Sequence, residues 1–172
     1  MHPGEPLMAE FAGEPRGEGR KIVVVASRFN ETVTMPLAEG AVAALVKQGV
    51  DFNDIDVLWV PGAWELTVAV RRALATERYD AAVTVGAVIR GDTPHFDIVA
   101  GESARGLMEV SRDFDIPVTL GLLTTDTLEQ AEARAGGIHG NKGADAALAA
   151  LELLDLFDRM EPMVDDLDEE PS

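Results

Sequence analysis

Four short, largely apolar runs, the first of them β-branched and each followed by a segment of helical spacing, limit what this chain can fold into. The first run is Ile22-Val-Val-Val-Ala26. After a polar stop at Ser27 to Glu31, apolar residues recur at Val33, Leu37, Ala41 and Leu45, the repeat of an amphipathic helix. Pro36 is expected in that helix's first turn, where a missing N–H costs little, and Gly49 near its end. Asp56 to Val60 reads as a second strand closed by Pro61-Gly62, and Glu65 to Glu77 as a helix with Leu66, Val70 and Leu74 on one face. A third strand spans Ala81 to Ala87, a third helix Asp97 to Phe114, and a fourth strand Pro117 to Leu123. A short helix from Thr127 to Ala135 ends at Gly136-Gly137, and a last helix runs from about Asn141 to Met160.

Strands that are apolar throughout and alternate with helices are those of a parallel sheet covered on both faces. The expected fold is therefore α/β: a three-layer αβα sandwich around a central parallel four-stranded sheet, flavodoxin-like in architecture. At 172 residues the length suits one domain. It divides into an N-terminal extension (1–21), the domain proper (22–160) and an acidic tail (161–172), in which the run Asp165 to Glu170 reads as disordered.

Ligands of such folds bind beyond the carboxyl ends of the strands. That rule selects the loops Ser27 to Glu31, Pro61 to Glu65, Val88 to Phe96 and Thr124 to Asp126, four strand ends facing one crevice. The richest in chemistry is Gly86-Ala-Val-Ile-Arg-Gly-Asp-Thr-Pro-His-Phe96. Its two glycines allow close backbone approach to a ligand, its N–H groups and Thr93 can hold an oxyanion, and His95 can shuttle protons near neutral pH. A lone histidine before a helix is by itself more often a cap or surface residue. Phe29 and Trp64 would by default be core or interface aromatics, and Glu65 and Arg134 would complement helix dipoles.

Composition removes other classes. With no cysteine, disulfides, thiolate catalysis and Cys-rich metal sites are out, and His95 with Asp97 lacks a third ligand, so no metal is expected. A formal charge of −17 opposes nucleic acid and anionic membranes as partners. No apolar run approaches the roughly 18 residues of a membrane span, and the first 21 residues lack an apolar signal core, so a cytoplasmic protein is expected. The loop after the first strand, Ser-Arg-Phe-Asn-Glu, has none of the glycines of a dinucleotide fingerprint, and Gly91 is followed by Asp92-Thr93 instead of the Lys of a P-loop. Gly-x-Ser-x-Gly is absent as well.

Taken in order, Ser27-Arg-Phe-Asn30, Pro61-Gly-Ala-Trp-Glu65, Gly86 to Phe96, Thr125-Asp-Thr-Leu-Glu-Gln-Ala131 and His139-Gly-Asn-Lys-Gly143 resemble the lumazine synthase family, from about Ile22 to Phe157. The resemblance implies an enzyme of the penultimate step of riboflavin synthesis that uses no cofactor. It would condense 5-amino-6-(D-ribitylamino)uracil with 3,4-dihydroxy-2-butanone 4-phosphate. By the same resemblance Phe29 stacks on the pyrimidine, and Asn30, Ala63, Trp64 and Glu65 meet the ribityl chain. Ala87, Val88 and Ile89 offer main-chain hydrogen bonds to the pyrimidine edge. Gly91, Asp92 and Thr93 cradle the phosphate, with Arg134 paired to its charge and Arg90 and Lys142 as further cations; Asp145 is expected to orient Arg134. His95 carries protons.

The family's sites lie between subunits of a pentamer, so Leu120, Arg134 and Lys142 would serve the neighbouring chain, and pentamers can build icosahedral shells. Riboflavin synthase is the partner the family suggests. Two positions depart from the family pattern: Leu120 stands where Phe is usual, and Ile138 where Lys is common. The alternative readings are a non-catalytic flavin- or lumazine-binding module and a shell protein on the same fold.

Overall fold

A computed structural model describes residues 10–168. The first strand, β1 (Ile22–Ser27), is buried along its whole length because it is central. It pairs in parallel with β2 (Ile55–Val60) on one side and β3 (Ala81–Ile89) on the other, and β3 pairs with β4 (Val118–Thr125). The sheet order is thus β2-β1-β3-β4, the doubly wound arrangement expected. Alternate residues of β1 serve different layers. Ile22, Val24 and Ala26 pack with α1 (Glu31–Lys47) and α5 (Lys142–Asp168), while Val23 and Val25 pack with α2 (Leu66–Leu74) and α3 (His95–Phe114).

Several boundaries moved. Edge position decides β2: its apolar Val57, Leu58 and Trp59 are each 37% exposed, so this largely apolar strand is not buried on both faces. Helix α1 starts at Glu31, which puts Pro36 in the second turn, where Thr32 loses its usual donor. Its C-terminus closes as expected, with Gly49 at φ 102° and the Val50 N–H donating to Leu45 O at 3.1 Å. Helix α3 starts two residues early, making His95 its first residue. Helix α5 continues past Met160 to Asp168, so most of the acidic run is helical; residues 169–172 lie outside the described part.

The segment expected as helix up to Ala135 splits. Helix α4 covers Leu128–Ala133, held by a capping box in which Gln130 N–H donates to Thr127 Oγ1 (3.1 Å) and the Gln130 side chain accepts from Thr127 N–H. Then β5 (Ala135–Gly137) and β6 (Gly140–Asn141) form an antiparallel ribbon. Strands this short, made of Ala, Gly and Asn, carry no pattern a sequence can show.

The ribbon delivers α5 onto α1. Asn141 Nδ2 donates to Pro36 O at 2.9 Å, and its Oδ1 accepts from Ala144 N–H at 3.0 Å, capping α5. Two residues on, the backbones meet so closely that a Cβ on Gly143 would fall onto the Leu37 carbonyl oxygen. Because the obstacle is backbone, it cannot rotate away. Gly143→Ala is therefore expected to cost about 3 kcal/mol, lowering the thermal unfolding midpoint by roughly 10 °C. An unchanged midpoint in calorimetry would sink this account of the motif.

Farther along α5, Asp155 anchors the N-terminal segment at Glu14. It accepts Glu14 N–H at 2.8 Å and Arg159 Nε at 2.8 Å, and these bonds, the backbone one first, hold its carboxyl below the ordinary carboxylate value. A depressed folded value means the anchor is at full strength above the unfolded value and is lost as pH falls through the folded one. Proteolysis within residues 10–20 should therefore accelerate below about pH 4, while the domain body resists. Asp155→Asn should show the same cleavage at neutral pH.

Candidate active site

Pairing between β1 and β3 ends at Ala26 and Val85, while pairing between β3 and β4 continues to Ile89 and Thr125. Between Gly86 and Ile89, β3 therefore presents an unpaired edge at the point where the sheet reverses its winding, the usual ligand crevice of such folds. The cleft there has a volume of about 740 Å³. Its walls include Phe29, Ala63, Trp64, Glu65, Ala87, Val88, Ile89, Gly91, Thr93 and His95, ten of the residues the sequence nominated.

Each wall is held by a specific bond. Phe29 N–H donates to Pro61 O at 3.0 Å, fixing the first loop against the second. Ser103 Oγ donates to Ala63 O at 3.1 Å, fixing the second loop to α3. Phe29 and Trp64 are 71% and 57% exposed, so neither is a core aromatic in this chain. Both faces are open to a planar ligand. Glu65 accepts Gly62 N–H at 3.0 Å, which orients its carboxylate and leaves its other oxygen for hydroxyl donors.

Asn30 differs from expectation. It is held in the left-handed region at φ 63°, and its amide donates to Ala87 O at 3.0 Å instead of capping α1. It does not line the cleft but fixes the carbonyl of Ala87, which does. Gly86 also differs: a Cβ there would lie 2.7 Å from Ser27 Oγ and 2.9 Å from Leu122 Cδ1, so its glycine serves packing beneath the cleft. Gly91 faces open space, leaving room for a ligand.

Beyond β3 the N–H groups of Gly91, Asp92 and Thr93 have no protein acceptor among the described residues, and the N-terminus of the 20-residue α3 follows immediately. Free N–H groups beside the positive end of a helix favour an anion. Asp92 itself is exposed and does not line the cleft, so its backbone is what it offers. Ile98 and Val99, which the sequence reading missed, complete the wall. They lie three and four residues after His95, and starting the helix at His95 would have placed them on its face.

The remaining nominated residues lie elsewhere. Leu120, Arg134 and Lys142 line a separate depression of about 210 Å³ beside β4. Lys142 N–H donates to Arg134 O at 2.9 Å, so the ribbon brings them together. Arg134 caps the C-terminus of α4, its Nη1 donating to Gln130 O at 2.9 Å, and no carboxylate among the described residues pairs with it. Asp145 does not orient Arg134: it pairs with Lys142 at 3.5 Å, one helical turn away along α5. Arg90, offered as a phosphate cation, is bound to Asp126 at 2.9 Å and Asp97 at 3.5 Å.

Such a crevice, lined by exposed aromatics and an imidazole and bordered by unpaired backbone N–H groups, is that of a flavodoxin-like α/β protein with room for a planar ligand and an anion. The chain belongs to the 6,7-dimethyl-8-ribityllumazine synthase family, whose model matches residues 19–158. It is 87% identical over 140 residues to the 6,7-dimethyl-8-ribityllumazine synthase of Gemmatimonas aurantiaca, covering 81% of this chain and 85% of that one. The enzyme of the same name from Lactiplantibacillus plantarum is 49% identical over 140 residues, covering 81% and 88%. No helix among the described residues is long and apolar enough to cross a membrane.

Proposed function

We propose that this protein condenses 5-amino-6-(D-ribitylamino)uracil with 3,4-dihydroxy-2-butanone 4-phosphate to give 6,7-dimethyl-8-ribityllumazine. The observation that carries the reading is the meeting, in one cleft, of the free β3 edge beside Phe29 with the N–H cradle beside His95. The pyrimidine stacks on Phe29 and bonds the main chain of Ala87 to Ile89, and its ribityl hydroxyls reach Glu65. The phosphate sits on the N–H groups of Gly91 to Thr93. The substrate carbonyl is then held over the 5-amino group, next to His95.

Imine formation releases water, elimination releases phosphate, and ring closure releases a second water. Each step moves a proton that the imidazole can accept or return. Placing both reactants face to face supplies much of the acceleration, since their entropy is lost on binding and not at the barrier.

One chain holds two half-sites: the cleft, and the depression with Leu120, Arg134 and Lys142. A ring in which each depression closes the next chain's cleft would bring the Arg134 fork to the phosphate. We therefore read the working form as a homo-oligomer, a pentamer or a shell of pentamers, acting in the cytoplasm. The test is turnover of the purified protein with both substrates, followed by lumazine absorbance, with its mass measured by light scattering. Turnover by a pentamer or larger particle is expected. A well-assembled protein that binds lumazine without making it would overturn the catalytic reading in favour of a binding module, and an active monomer would overturn the shared site.

A further inference from the structure

Arg90 lies between the free β3 edge and the anion cradle, and its three contacts all lead to one function. Its Nε donates to Asp126 at 2.9 Å, just past the end of β4. Its Nη1 reaches Asp97 at 3.5 Å in the first turn of α3. Its guanidinium carbon stands 4.3 Å from the centre of the Phe96 ring, in the same turn. Its own N–H donates to Thr125 O at 2.8 Å. One side chain thus ties the end of β4 to the helical turn that begins with His95, spanning the cradle residues Gly91 to Thr93.

We propose that Arg90 is a positioning residue whose clasp on Asp126, Asp97 and Phe96 holds the phosphate cradle and His95 in register with the sheet. The inference deepens the proposed function and rests on it. The clasp is not there for stability. Its carboxylates are about two-thirds exposed and the Arg90 side chain about half, and ion pairs so open to water contribute little to folding. Among the described residues the loop it spans makes no backbone bond at Gly91, Asp92 or Thr93, so between the Arg90 N–H bond to Thr125 O at one end and the Pro94 carbonyl at the other the clasp is the main tie across it.

The clasp also reaches towards the second half-site. Asp126 N–H donates to the Gln130 side chain at 2.8 Å, and Gln130 O accepts from Arg134. Arg90, Phe96, Asp126, Gln130 and Arg134 line one polar depression of about 390 Å³. The cradle of a chain and the arginine it would lend its neighbour are therefore fixed to the same strand end.

Steady-state kinetics of assembled Arg90→Gln and Asp126→Asn against active wild type tests this. Misplaced reacting groups cost rate, so each variant should lower kcat about 10-fold. The KM for the ribitylaminouracil, held at the other end of the cleft, should change less than about twofold, and the melting temperature by no more than a few degrees. The double variant should lose no more than either single one, because both break the same contact. Arg90→Lys, keeping one arm of the clasp, should recover part of the rate.

A rival role for Arg90, as a direct phosphate ligand, gives the opposite sign. Asp126→Asn would then release the guanidinium, leaving kcat intact and lowering the KM of the phosphate substrate, and that result overturns the clasp. Losses that simply multiply in the double variant, or a lowered melting temperature with unchanged kcat, overturn it too. An inactive wild type removes the functional reading and the clasp together, whereas an active wild type with unaffected variants removes the clasp alone.

Discussion

Arg134→Ala is expected to lower kcat/KM for the phosphate-bearing substrate on the order of 10³-fold, the largest effect of any substitution considered. The side chain makes one hydrogen bond, to Gln130 O, and has no carboxylate partner among the described residues, so most of its fork is available to a ligand. A forked cation matched to phosphate oxygens binds more tightly than a neutral pair. In the proposed reaction it would also stabilise the phosphate as it leaves with its bonding electrons. In a chain of charge −17, little else can offset that charge. Arg134→Lys should recover part of the loss, because the ammonium keeps the charge but not the fork. A variant of wild-type activity would remove Arg134 from the site.

The two half-sites add a sharper form of the same experiment. Mixing Arg134→Ala subunits with His95→Ala subunits, unfolding and reassembling them, should restore activity at junctions where the intact cleft of one meets the intact arginine of the other. If cleft and arginine worked within a single chain, no mixture would regain activity.

His95→Ala should lower kcat about 10²-fold, the low end of what a positioned acid–base group contributes. The low end follows from the mechanism, in which placing the two substrates face to face supplies much of the acceleration. Assembly and the KM for the ribitylaminouracil should stay near wild type, since Phe29, Trp64 and Glu65 are untouched. Complete loss of turnover in a correctly assembled variant would contradict a mechanism in which placement does much of the work.

Much of the cleft was legible because its residues sit at strand ends. Phe29, Ala63, Trp64, Glu65 and His95 follow apolar runs directly, and a run's end gives the position of the loop. What escaped were residues whose role depends on a partner far along the chain. Asn30, expected to meet the ribityl chain, bonds Ala87, 57 positions away. Gly86, read as allowing close approach to a ligand, makes room for Ser27 and Leu122. In the His139 to Gly143 motif, Asn141 and Gly143 dock helices while Lys142 lines the depression beside β4. Arg90 looked like a free cation until Asp126, 36 positions on, was placed beside it.

The sequence by itself determined the alternation of strands and helices, the parallel sheet and the crevice beyond its strand ends. Those follow from periodicity, which is local and repeated, so many residues report it at once. Only the tertiary structure decided that β2 is a half-exposed edge, that Ala135 to Asn141 form a ribbon, and that the site residues fall into two separate depressions. Each of those depends on which segments meet across long stretches of chain. Such meetings are chosen by the packing of whole layers, and no short window of sequence carries that information.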